Sequence, residues 1–120
     1  LINELEAQEP TPLAETVRRA LRTMVMAGTA SAANVARLFS MSERSLRRRL
    51  QADGTGIHEL LAETRLEVAR QLLQQTELPL SEIAATLHYS EASALSRAFR
   101  AWSGATPSEW RTASRKRKSR

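Results

Sequence analysis

Arg44, Arg47 and Arg48 stand at i, i+3 and i+4 in the stretch MSERSLRRRLQADG (residues 41–54), and Gln51 extends the row to i+7. At roughly 100° per residue these four share one helical face, while Leu46, Leu50 and Asp53 fall on the other. A guanidinium presents a planar fork of donors that grips guanine O6/N7 or a phosphate bidentately, which an ammonium cannot do. Only Glu43 and Asp53 are nearby acids, and neither sits centrally on the arginine face. Lysine is absent up to residue 115, its two copies being Lys116 and Lys118. Arg49 falls at the edge of the leucine side, where its stem is expected to pack and its head to pair. The chemistry on offer is recognition of a negatively charged surface; the plainer reading is a solvated basic face.

Catalytic chemistry has little to work with. His58 and His88 are the only histidines, with no carboxylate or cysteine at ligand spacing, and the chain has no cysteine at all. Neither an enzyme activity, a metal nor a cofactor is expected, because no pair of acid and base groups is offered. The net charge of +5 needs dividing before it is used. The segment RKRKSR (115–120) supplies five positive charges, so residues 1–114 hold 13 basic and 13 acidic side chains and sum to zero. Placement of charge, rather than its total, argues for a polyanion partner. No run approaches the ~18 apolar residues of a membrane span, and no membrane partner is expected. Nothing at the start resembles a signal peptide, and the missing cysteines fit a cytoplasmic protein.

The elements that must hold these side chains read as all-α. Ala, Leu, Arg, Glu and Gln dominate, and β-branched residues never alternate over a strand's length. Thr11 is an expected N-cap with Pro12 at the first helical position, followed by Leu13, Val17, Leu21 and Met24 at helical spacing up to Gly28. Further helices are expected at about 32–38, 42–52, 57–75, 81–87 and 91–103, and Thr106, Pro107 and Glu109 form a capping-box start for a short last one. Residues 57–75 make a helix of roughly 28 Å. Trp102 and Trp110 fall on apolar faces and read as core anchors. Arg18, Arg19 and Arg22 form a cluster that is either solvated surface or a phosphate contact.

Two parts of this sequence match each other. VARLFSMSERSLRRRLQADGT (35–55) aligns with IAATLHYSEASALSRAFRAWSG (83–104) once the second turn region is allowed one extra residue. Val35-Ala36 then matches Ile83-Ala84, Ser42 matches Ser90, Leu46 matches Leu95 and Leu50 matches Phe99. Each copy is a short helix with a small alanine, a tight turn and a longer helix opened by serine, the shape of a helix-turn-helix. In the second copy Ser93, Ser96, Arg97 and Arg100 are expected on the exposed side, with Ala92 short enough to approach a duplex closely. The first copy is therefore expected to read bases and the second mainly to grip backbone. The domain organisation follows: a linker remnant over 1–11, a first subdomain over 12–56, a linker helix over 57–75, a second subdomain over 76–114 and a disordered basic tail over 115–120.

From about Leu13 to Arg111 the chain resembles the DNA-binding region of the AraC/XylS family of bacterial transcription regulators. The resemblance rests on the doubled motif, the spacer ELLAETRLEVARQLLQQTELPLSEIA and the signature YSEASALSRAFRAWSGATPSEWR. The family pattern of the second half is met by Ile83, Ala84, Tyr89, Arg97, Phe99, Gly104, Pro107, Trp110 and Arg111. His88 departs from it, standing where a turn glycine is usual. The resemblance implies two major-groove recognition helices on promoter DNA and control of transcription, more often activation. It implies DNA contacts by Ser42, Arg44, Ser45, Arg47, Arg48 and Gln51 in the first unit, and by Ser90, Ala92, Ser93, Ser96, Arg97 and Arg100 in the second. RNA polymerase is an implied further partner, and an effector would act only through an N-terminal domain outside this chain. The rival reading is a helical interaction module whose basic face meets an acidic protein.

Overall fold

The apolar periods become helices. In the computed structural model, which describes residues 12–118, α1 (Leu13–Ala27), α2 (Ala32–Leu38), α3 (Glu43–Ala52), α4 (Ile57–Gln75), α5 (Leu80–Thr86), α6 (Ala92–Ser103) and α7 (Pro107–Lys118) follow in order. No strand occurs among the described residues. The expected linker remnant over 1–11 lies outside them.

Two apolar cores form along α4, which crosses the whole molecule. The first gathers Val17 and Leu21 of α1, Val35 and Ala36 of α2, Leu46 and Leu50 of α3, and Leu60 and Leu61 of α4. The second gathers Leu66, Ala69 and Leu73 of α4, Ile83 and Ala84 of α5, and Leu95 and Phe99 of α6. Ala36 and Ala84 are the small residues that let the short helix of each unit cross its partner closely. Both tryptophans pack on the second core, each meeting Phe99 edge-on at centroid distances of 5.8 and 5.9 Å. Val25, in the last turns of α1, belongs to the second core and not the first. Helix α1 is therefore a brace across both units, and its largest contact is with α4.

The start of α1 differs from expectation. Pro12 occupies the cap position with extended backbone, so the helix begins at Leu13, and proline has no side-chain acceptor to offer. The acceptor comes from 39 residues away: Asp53 Oδ2 takes the Ala14 N–H at 3.0 Å. This explains an acid on the leucine side of α3, and it pins the end of α3 to the start of α1.

The end of the chain also differs. Residues 115–120 were expected to be disordered, yet α7 continues through Lys118, with 119–120 outside the described residues. Two features carry the helix past Trp110. Ser114 is buried, and Arg115 pairs with Glu77. Lysine and arginine are also good helix formers and suit the negative end of the helix dipole.

Candidate nucleic-acid interface

Each helix-turn-helix unit is shaped by the same turn. In the first, the N–H of Ser40 donates to the Arg37 carbonyl and that of Met41 to Ala36. In the second, His88 donates to Ala85 and Tyr89 to Ala84, and the bond that spans five residues is 2.9 Å in both units. This pattern needs one left-handed residue, and Ser40 (φ 55°) and His88 (φ 63°) supply it without being glycine. The spacing of the two turns is identical, so the extra residue of the second unit lies after its turn. Consequently Glu91, not Ser90, takes the cap position of α6, and its side chain makes no capping bond. Ser90 sits one residue earlier, exposed in the turn. The His88 ring lies against the end of α1: a Cβ placed on Gly28 would meet its Nε2 at 3.5 Å. Tyr89 is half-buried in the same turn, where burial pushes its phenol up and the nearby Arg65 guanidinium opposes the shift.

On α3 the expected face is present. Arg44, Arg47, Arg48 and Gln51 are exposed, and Leu46 and Leu50 are buried behind them. Ser42 caps the helix, its Oγ accepting from the Ser45 N–H at 3.1 Å and its hydroxyl donating to Ser45 Oγ. Those two serines are thus engaged locally at the helix entrance. Arg49 is exposed too and makes no ion pair among the described residues, so the expected pairing of its head does not occur. On α6, Ser93, Arg97 and Arg100 are exposed, while Ala92 and Ser96 are half-buried; Leu95 and Phe99 face inward.

The arginines divide into two populations. On α1, Arg18 pairs with Glu15 at 3.2 Å and Glu63 at 4.0 Å, and Arg22 with Glu67 at 3.2 Å, tying α1 to α4. Arg70 of α4 lies 5.7 Å from the centre of the Trp102 ring. Arg111 donates from Nε to the Leu73 carbonyl at 3.1 Å and from its terminal nitrogen to the Thr76 carbonyl at 3.2 Å. It thereby satisfies acceptors left over at the end of α4 and fastens α7 there. By contrast, Arg44, Arg47, Arg48, Arg49, Arg97 and Arg100 make no ion pair among the described residues. The structural duties of Asp53, Ser40, Arg70 and Arg111 went unread in the sequence. Only the left-handed turn left a trace there, in His88 at a glycine's place.

Comparison with known proteins agrees with this arrangement. A helix-turn-helix domain profile matches residues 35–113. The HTH-type transcriptional regulator VirS of Mycobacterium tuberculosis is 41% identical over 99 residues, which are 82% of this chain and 29% of VirS. The chain thus spans under a third of that relative. Among solved structures, a transcriptional regulator with an AraC-type DNA-binding domain from Chromobacterium violaceum superposes with TM-score 0.74 at 29% identity, covering 84% of this chain and 91% of the other. The DNA-binding domain of AdpA, solved with a target DNA, gives TM-score 0.71 at 28% identity, covering 92% and 99%. With its paired helix-turn-helix units, this chain belongs to the AraC-type family of DNA-binding transcription regulators, which are not enzymes.

Proposed function

We propose that the arginine face of α3 enters one major groove of promoter DNA and reads base edges there. Helix α6 enters the next groove, holding backbone with Arg97 and Arg100 and adding one or two base contacts through Ser93 or Ser96. The observation that carries this reading is the division among the arginines. Arg18 and Arg22 of α1 are paired with Glu63 and Glu67 of α4 while Arg19 is not, whereas every arginine of α3 and α6 is exposed and without an ion pair among the described residues. Leaving guanidinium groups unpaired in this way suits a partner that brings its own acceptors. The 19 residues of α4 give a spacer of roughly 28 Å, and the molecule extends 48 Å along its longest axis. That leaves room for two helices about 34 Å apart, one turn of B-form DNA.

Ser42, Ser45 and Ser90 stand at the two helix entrances, where short hydroxyls meet phosphates. Activation of transcription in the cytoplasm, contact with RNA polymerase and effector control through a domain beyond these 120 residues belong to the same reading; they rest on the family resemblance. Titration of a duplex selected from a random pool, at several salt concentrations, tests the core of it. With six to ten phosphate contacts, affinity drops about 10³–10⁵-fold between 50 and 200 mM salt, while the preference for the selected sequence persists. Absence of binding at 50 mM salt favours the interaction module with an acidic protein partner.

A further inference from the structure

We infer that α4 touches DNA itself: His58 and Arg65 hold phosphates on either side of the minor groove that lies between the two major grooves. The inference rests on the groove-reading role proposed for α3 and α6. Three observations lead to it. First, His58, Ala62 and Arg65 stand at i, i+4 and i+7 and so share one face of α4. Glu63 and Glu67, which pair with Arg18 and Arg22, lie about 140–180° around the helix from His58, so α1 covers the opposite side. Second, the face is open. His58 and Ala62 are exposed, Arg65 is half-buried, and neither His58 nor Arg65 makes an ion pair among the described residues. Third, the face joins the two surfaces assigned to DNA. At its start His58 shares a cleft of about 250 Å³ with Arg47 and Gln51 of α3. At its other end Arg65 stands near Tyr89, in the turn that leads through Ser90 into α6.

The dimensions agree. His58 and Arg65 are about 10 Å apart along the helix axis. The minor groove is about 6 Å wide, so side chains at that separation reach the sugar-phosphate ridge on each side of it. Ala62, between them, leaves the duplex room to come close. The two contacts are unequal. Glu43 and Arg47 of α3 and Glu59 of α4 also line the His58 cleft, and α2 adds Ala32. Although the Thr55 hydroxyl donates to Glu59 at 2.9 Å, the two carboxylates oppose a phosphate at this end. A guanidinium is always charged, whereas an imidazole gains its charge only between about pH 8 and pH 5. Arg65 is therefore the stronger contact. Phosphate contacts carry no sequence information but fix position. The linker helix thus adds affinity for all sequences alike and sets the register in which α3 and α6 meet base edges.

Ethylation interference on the selected duplex, with the 120-residue protein, locates these contacts. Ethyl groups on the phosphates that flank the minor groove between the two major-groove patches should block binding. In Arg65→Gln the block on the ridge nearer α6 should vanish. Silence of those phosphates overturns the inference. Arg65→Gln should also weaken binding to every duplex alike, by about fivefold at 0.15 M salt, with the salt slope reduced by about one. Arg65→Lys, which keeps the charge, should restore both. A loss that lysine does not restore marks a packing role and overturns the phosphate contact. His58→Gln should bind more weakly than the parent at pH 6 and equally at pH 8; equality at both overturns the His58 contact. Failure to bind any duplex at 50 mM salt sinks the groove reading itself. Two major-groove patches with silent phosphates between them sink this inference alone.

Discussion

Replacing Arg47 with alanine separates recognition from folding. The side chain is exposed, makes no ion pair among the described residues and projects from α3 on the side away from Leu46 and Leu50. The free protein therefore loses nothing it was using, and its unfolding free energy should move by less than about 0.5 kcal/mol. In the complex, a bidentate contact to a guanine edge contributes about 1–3 kcal/mol of discrimination. At 1.4 kcal/mol per decade this is about a 5- to 150-fold rise in Kd on the selected duplex. On a duplex already mutated at the contacted base pair the loss should nearly vanish, because the contact is already gone. Fluorescence anisotropy over the selected duplex and its single-base variants reads this pattern, with thermal melting as the control. Arg22→Ala provides the contrast: it removes the pair with Glu67, and it should leave DNA affinity unchanged. Equal weakening of Arg47→Ala on every duplex, or a marked drop in its melting temperature, would refute the assignment of base reading to this face.

Asp53→Ala removes the acceptor that caps α1 from across the fold and should cost about 1 kcal/mol in chemical denaturation; an unchanged midpoint would contradict the capping role. Ser40→Gly relieves a left-handed residue that is exposed, and the gain of about 1–2 kcal/mol is partly offset by glycine's entropy. A net rise of about 0.5–1 kcal/mol in unfolding free energy is expected, and a fall would mean the turn does not need that conformation. The Thr106 N–H, 2.8 Å from Glu109, holds that carboxyl below its usual range, helped by the Thr106 side chain and, after an opposing desolvation, by Arg100. Because the folded-state pKa is depressed, this stabilisation is present above the unfolded value and disappears as pH falls through the folded one. Helix α7 should therefore loosen as pH falls below the ordinary glutamate range, and Glu109→Gln should flatten the pH dependence there, followed by tryptophan fluorescence.

The repeated unit was legible because its signals are local. Helical spacing of Leu46 and Leu50, the small Ala36 and Ala84, and Ser42 before its helix each announce themselves within a few residues. The basic face of α3 was legible for the same reason, since a side chain that meets solvent is governed by its own helix. What escaped was decided across the fold. Asp53 looks like a stray acid until α1 is seen arriving beside it. Val25 carries no local sign of which core it joins, and only the packed fold sets it among the residues of the second. Arg18 and Arg22 could not be told from phosphate ligands while Glu63 and Glu67 were 45 residues away in sequence. The helical end of α7 was missed because charge density there outweighed the contacts of Ser114 and Glu77.

The central claim is that two recognition helices, held apart by α4, sit in consecutive major grooves on one side of the duplex. Dimethyl sulfate protection of guanine N7 across the selected duplex measures this directly. Two protected patches about 10 base pairs apart are predicted, the stronger at the α3 end and lost selectively in Arg47→Ala. A single patch, or two separated by half a helical turn and so on opposite sides of the DNA, would contradict it.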